Sequence, residues 1–124
     1  MSDNIEFSIN EKMKIFELIE KFNQSFPFLK INFFANPFSN NSSNKRNLIV
    51  YGDKTLGECR TIQKKGDICI TPQMTVSDLD LQFNDIYGLD VQVYRKSGKM
   101  WLETSKTNSW TLEEQNKQGQ TLST

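Results

Sequence analysis

Apolar and polar residues along this chain follow two rhythms, and the switch between them is sharpest in residues 74–94, "MTVSDLDLQFNDIYGLDVQVY". Val76, Leu79, Phe83 and Ile86 or Tyr87 recur at three-to-four-residue spacing, which predicts a helix with one apolar face. Thr75 and Asp78 have the spacing of an N-terminal capping box, and Gly88 stands where a left-handed residue would end the helix. Beyond the glycine, Leu89, Val91 and Val93 alternate with Asp90, Gln92 and Tyr94, the pattern of a strand with one buried face. "RKSGK" then predicts a tight hairpin with Gly98 at positive φ, and "MWLETS" an antiparallel return. Phe83, in the middle of the helical stripe, is expected to be fully buried.

Similar signals precede this unit. In "SINEKMKIFELIEKFNQSF", Ser8 and Glu11 have capping-box spacing, Ile15, Leu18, Ile19, Phe22 and Phe26 supply an apolar helix face, and Pro27 ends it. "FLKINFFA" predicts a strand with Leu29, Ile31 and Phe33 on one side, and residues 36–47, "NPFSNNSSNKRN", predict a surface loop. "LIVY" reads as a short strand, "TLGECR" as one helical turn capped by Thr55 and Glu58 and limited by Gly57, and "GDICITP" as a buried strand ended by Pro72. The expected fold is α+β: a single domain over 1–124 in which a small antiparallel or mixed sheet is packed by two helices.

Composition narrows the function classes. With 124 residues, 36% apolar and 24% charged, the chain can bury one core without metals or disulfides. Its 15 basic and 15 acidic residues cancel, so no global field holds it on nucleic acid or an anionic membrane. The longest apolar run is far short of the roughly eighteen residues of a membrane span. "MSDNIEF" has neither the basic region nor the apolar stretch of an export signal, so a cytoplasmic location is expected. Cys59 and Cys69 do not have metal-ligand spacing and are expected to be free thiols.

The chain contains no histidine, which removes the commonest general base, the serine and cysteine nucleophile pairs that depend on it, and most zinc sites. Its glycines match neither a phosphate-cradling loop nor a dinucleotide fingerprint. Asp78, Asp80 and Asp85, and likewise Glu113 and Glu114, read as helix-start charges and solvated faces rather than a catalytic carboxylate set. The expectation is a non-enzymatic protein with no catalytic residue, metal or cofactor.

From Ile68 to Leu122 the order of signals resembles the second half of a ubiquitin-like β-grasp domain. "ICITPQMTVSDLDLQF" is the strand running into a capped helix, "VQVYRKSGKMWL" the strand and hairpin, and "WTLEEQNKQGQTL" the short turn and closing strand at Thr121 and Leu122. The resemblance implies that "FLKINFFA" is the first strand and that sheet surfaces do the binding. Because the chain ends "GQTLST" rather than in a diglycine, it also implies noncovalent recognition rather than conjugation. The tail "QVYRKSG…WLET…WTLEEQN" is similar to that of small uncharacterised bacterial proteins, a likeness that brings no activity with it.

The local feature with most chemical content is the hairpin "VYRKSGKMW". Tyr94 and Trp101 stand nearly symmetric about a turn placed at Ser97 and Gly98, so their rings are expected to be cross-strand neighbours beside Arg95, Lys96 and Lys99. Aromatic and basic side chains together suit a protein-binding hot spot, for a protein partner or for self-association. The alternative function is binding of nucleic acid or another anionic ligand, disfavoured by the zero net charge. The plainer alternative is a lysine-protected hairpin whose Trp101 covers the sheet. Trp110 is expected in the core beside Leu112.

Overall fold

The computed structural model describes residues 6–35, 47–48 and 52–123; most of the loop expected at 36–47, and all of "LIVY" except Leu48, lie outside them. The described chain runs β1 (Phe7–Ile9), α1 (Ile15–Ser25), β2 (Leu29–Ala35), β3 (Asn47–Leu48), α2 (Leu56–Cys59), β4 (Ile68–Ile70), α3 (Val76–Tyr87), β5 (Leu89–Ser97), β6 (Met100–Glu103), a 3-10 turn at Ser105–Thr107, and α4 (Leu112–Ser123). Four strands form an antiparallel sheet in the order β3-β2-β5-β6, while β1 and β4 make a separate antiparallel ribbon. The α+β class expected from the hydropathy pattern is the one observed.

The α3–β5 unit forms as its sequence dictates. Thr75 Oγ accepts the Asp78 N–H at 3.0 Å, the Asp78 carboxylate accepts the Thr75 N–H at 3.2 Å, and Gly88 takes φ 68°. Val76, Leu79, Phe83 and Tyr87 are buried on one side of α3, facing the buried Leu89, Val91 and Val93 of β5 and Leu29, Ile31 and Phe33 of β2. Phe83 is fully buried, with its ring 5.2 Å from that of Phe33. Asp80 is part of the scaffold: its carboxylate accepts the Val91 N–H at 2.9 Å and ties α3 to β5.

Two segments differ from expectation. Ser8 and Glu11 do not cap a helix. Phe7 and Ile9 bury their side chains by pairing β1 with β4, and α1 starts only at Ile15. There the Glu17 carboxylate accepts the Lys14 N–H at 2.9 Å, but the Lys14 ammonium has no lone pair to return the bond. At the other end, Thr121 and Leu122 lie within α4 rather than in a closing strand, and β4 pairs with β1 outside the four-stranded sheet.

The two halves of the chain share one plan. A constant shift carries Phe7 to Ile68, Ile9 to Ile70, Met13 to Met74, Ile15 to Val76, Glu17 to Asp78, Leu18 to Leu79, Phe22 to Phe83 and Phe26 to Tyr87. A shift one residue shorter carries Leu29, Ile31 and Phe33 to Leu89, Val91 and Val93. Later, Thr55-Leu56 followed by Glu58 reappears as Thr111-Leu112 followed by Glu114.

Strand registers obey the same relation. In the ribbon, Phe7 pairs with Ile70 and Ile9 with Ile68, symmetric about Ser8 and Cys69. In the sheet, Leu29 pairs with Arg95 and Ala35 with Leu89, symmetric about Asn32 and Gln92. A pseudo-twofold axis therefore passes between Ser8 and Cys69 and between Asn32 and Gln92.

Helix starts within each half are joined in the same way. Ile15 donates its N–H to Lys54 O at 2.8 Å and Leu56 to Met13 O at 2.9 Å; in the second half Val76 donates to Trp110 O at 3.3 Å and Leu112 to Met74 O at 2.9 Å. Each exchange satisfies N–H groups that a helix start leaves without intrahelical acceptors.

Candidate functional site

The hairpin turn is one residue further along than its composition suggested. Ser97 pairs with Met100, leaving Gly98, at φ 64°, and Lys99 as the turn residues. The register then sets Lys96 opposite Trp101 and Tyr94 opposite Glu103. Tyr94 and Trp101 are thus diagonal neighbours on one face rather than directly opposed.

The group that joins them comes from β2. Lys30 pairs with Tyr94, and its Nζ lies 5.4 Å from the Tyr94 ring centroid and 5.2 Å from that of Trp101. Lys96 Nζ is 6.0 Å from the Trp101 centroid. Each such contact is worth about 0.5–1 kcal/mol at an exposed site, enough to keep the lysine stems against the rings. All four residues are half-buried on the sheet face opposite the core. Lys30 was legible only as the polar alternate between Leu29 and Ile31; nothing local in the sequence joins it to residues 94–101.

Arg95 does not belong to this cluster. Alternation along β5 turns it to the core side, where Nη1 donates to Gln115 Oε1 at 2.8 Å and the guanidinium lies 5.4 Å from the Trp110 ring. Its Nε is buried without a protein partner among the described residues. α4 crosses above it at Gly119, where an added Cβ would come within 2.8 Å of Phe28 Cβ and 3.2 Å of Arg95 Cγ. Gln115 is itself fully buried and donates its amide to Thr107 O at 2.7 Å. Trp110 is half-buried against Arg95, whereas Leu112 is fully buried. Lys99 is exposed at the tip of the turn. Of the five residues singled out from the sequence, Tyr94, Lys96 and Trp101 converge, Lys99 stands at the tip and Arg95 anchors α4.

A second polar region lies where the halves are joined. The Arg60 side chain is only 7% exposed; it donates to Glu11 Oε1 at 3.1 Å, Ile62 O at 2.7 Å, Lys64 O at 2.6 Å and Ile86 O at 2.9 Å, with its guanidinium 4.7 Å from the Tyr87 ring centroid. Beside it opens a cleft of about 810 Å³ whose rim mixes Lys12, Lys64 and Lys65 with Glu11 and Asp67. With these bonds Arg60 serves as a tether for residues 60–67. Lys64 Nζ is held by Asp85 at 2.9 Å.

Burial pushes the Tyr87 hydroxyl above its ordinary pKa, and burial followed by the neighbouring Glu58 charge does the same to the Cys59 thiol, which makes a poorer nucleophile. Both cysteines are free thiols. Among the described residues no three metal-ligating side chains come together, and no helix is long and apolar enough to cross a membrane. Comparison with family models, with curated proteins and with solved structures finds no match for this chain.

Proposed function

We propose that this protein is a non-enzymatic interaction module that binds another protein through the sheet face bearing Lys30, Tyr94, Lys96 and Trp101. One observation carries the reading: α1, α3 and α4 pack against the core side of the sheet, and the opposite face carries two aromatic rings with lysine ammoniums set against them. Half-buried rings on rigid strands lose little conformational entropy on binding, and tryptophan and tyrosine are the side chains most enriched at binding hot spots. The lysines favour a partner segment that offers carboxylates beside flat apolar groups. Glu103, opposite Tyr94, and the zero net charge argue against a phosphate backbone as the ligand.

The test is amine-acetylation footprinting of the whole chain, in buffer and in extract of its source cells, combined with capture of bound protein. Lys30 and Lys96 are expected to be protected in extract while Lys12 and Lys65 remain reactive. Trp101→Ala should abolish both protection and capture, lowering affinity by about 2 kcal/mol or more while leaving the thermal melt nearly unchanged. Equal reactivity of all lysines in both media would overturn the reading, as would protection by single-stranded nucleic acid at low salt.

A further inference from the structure

We infer that β6 is a self-pairing edge, through which a second copy of this chain joins strand to strand at Met100–Glu103. This goes beyond the reading of the hairpin face as an interaction surface, because the pairing uses the strand edge and leaves that face open.

Among the described residues β6 has one strand neighbour, β5. A two-residue turn closes on a hydrogen-bonded pair, here Ser97 and Met100, and bonded pairs then recur at every second position. The Thr104 N–H to Val93 O bond, at 3.3 Å, fits that phase. Met100 and Leu102 therefore direct their N–H and C=O groups to β5, while Trp101 and Glu103 direct theirs to the open edge.

Only a register that sets outward residues against outward residues can bond two such edges. Antiparallel self-pairing centred on Trp101 meets this condition, and it brings Lys99, the turn residue just ahead of β6, beside Glu103 of the second copy. By symmetry the reverse pair forms as well, and Met100 falls opposite Leu102. The run Lys99-Met100-Trp101-Leu102-Glu103 is thus complementary to itself when reversed: opposite charges at its ends, apolar residues inside them and tryptophan on the axis. A twofold, isologous interface requires this property of its surface.

Exposure favours the same conclusion. Met100 is 64% and Leu102 38% exposed, two large apolar side chains on an edge strand. Edge strands that remain solitary carry charges or prolines along their length, or are covered. Here the charged residues stand at the two ends, where self-pairing matches them. The product would be one sheet continuous across the two copies, with both lysine-aromatic faces on the same side.

The test measures self-association of the whole chain by sedimentation velocity over a range of protein concentrations. Lys99→Glu and Glu103→Lys each place like charges opposite one another twice, and each is expected to weaken the dimer about tenfold or more. The double variant Lys99→Glu/Glu103→Lys restores both pairs and is expected to dimerise as the unaltered chain does. Circular dichroism melts at a dilution where all four proteins are monomeric should be alike, because residues 99 and 103 are exposed. A chain that stays monomeric up to its solubility limit would overturn the inference. So would a dimer indifferent to the single reversals, or single losses that the double variant does not repair. If Lys30 and Lys96 are protected by another protein while the chain proves monomeric, the interaction-module reading stands and only the self-pairing is lost.

Discussion

The two halves of the molecule share a strand, a helix and a second strand, and then diverge after the same Thr-Leu-x-Glu signal. In the first half that signal starts α2, which ends at Cys59 after four residues, and Arg60 ties the following segment to Glu11 and the end of α3. In the second it starts α4, which runs for twelve residues across Phe28 and Arg95 and reaches the hairpin, where Gly98 donates its N–H to Ser123 Oγ at 3.2 Å. The shared part builds the core; the divergent parts differ in what they leave open. Arg60 fastens one end by five hydrogen-bond and ring contacts, whereas α4 supports β5 from the core side and leaves the opposite face of the hairpin open.

The comparison is tested hardest at Phe22 and Phe83, equivalent residues that are both fully buried. Each packs its ring, tilted, against the aromatic four residues later: Phe22 against Phe26 at 5.3 Å between centroids, Phe83 against Tyr87 at 5.9 Å. Phe22→Ala and Phe83→Ala should each cost about 3–5 kcal/mol, a large share of the stability of a domain this size. Urea titration should give two losses within about 1 kcal/mol of each other. A large loss at Phe83 beside a loss under about 1 kcal/mol at Phe22 would mean that the repeated plan is not an energetic repeat.

Much of this frame was legible because its signals are local. The α3 cap, Gly88 and the alternation of β5 each lie within a few residues of the structure they specify. The repeat was also present in the sequence, since Met13 to Phe22 and Met74 to Phe83 match in the position of every core residue, but reading each helix on its own does not reveal it. β1 was hidden by its length: three residues, with Ser8 between Phe7 and Ile9, look like the approach to a helix cap. The start of α4 was legible in Glu113 and Glu114, but its length was hidden because its buried positions are Leu112, Gln115 and Gly119, so hydropathy shows no apolar stripe. At the hairpin, residue types were readable but faces were not. Placing the turn one residue early misaligned Tyr94 and Trp101, and Lys30 joins them only through the β2–β5 register.

The pseudo-twofold axis can be probed where it crosses the ribbon. Ser8 and Cys69 are directly opposed and exposed on both sides. Opposed residues in antiparallel strands have Cα atoms about 4.5–5.5 Å apart, within the range a disulfide spans. Ser8→Cys should therefore form an intramolecular disulfide with Cys69 under mild oxidation, seen as loss of two free thiols in an unaltered monomer. Closing so long a loop should stabilise the chain by about 2–4 kcal/mol relative to its reduced form. A variant that keeps its thiols, or forms only intermolecular crosslinks, would show that the axis does not pass where the β1–β4 register puts it.

The smallest expected effect concerns the one helix start that breaks the pattern. Among the described residues, Thr55, Thr75 and Thr111 each accept an N–H three residues on, at 3.2, 3.0 and 3.1 Å, while Lys14 in the equivalent position cannot. Thr75→Ala should cost about 1 kcal/mol, the usual loss on removing a threonine cap. Lys14→Thr should do the reverse and gain up to about 1 kcal/mol, because Glu17 already accepts the Lys14 N–H and the new hydroxyl would complete the box. The lysine gives up little in exchange: its Nζ lies 5.8 Å from the ring of Phe16, which is 47% exposed. Paired urea titrations of the two variants would measure both signs. Equal losses at both positions would mean that α1 has its start fixed by the Ile15 to Lys54 bond alone, so that the first half depends on the exchange between helix starts where the second half depends on its cap.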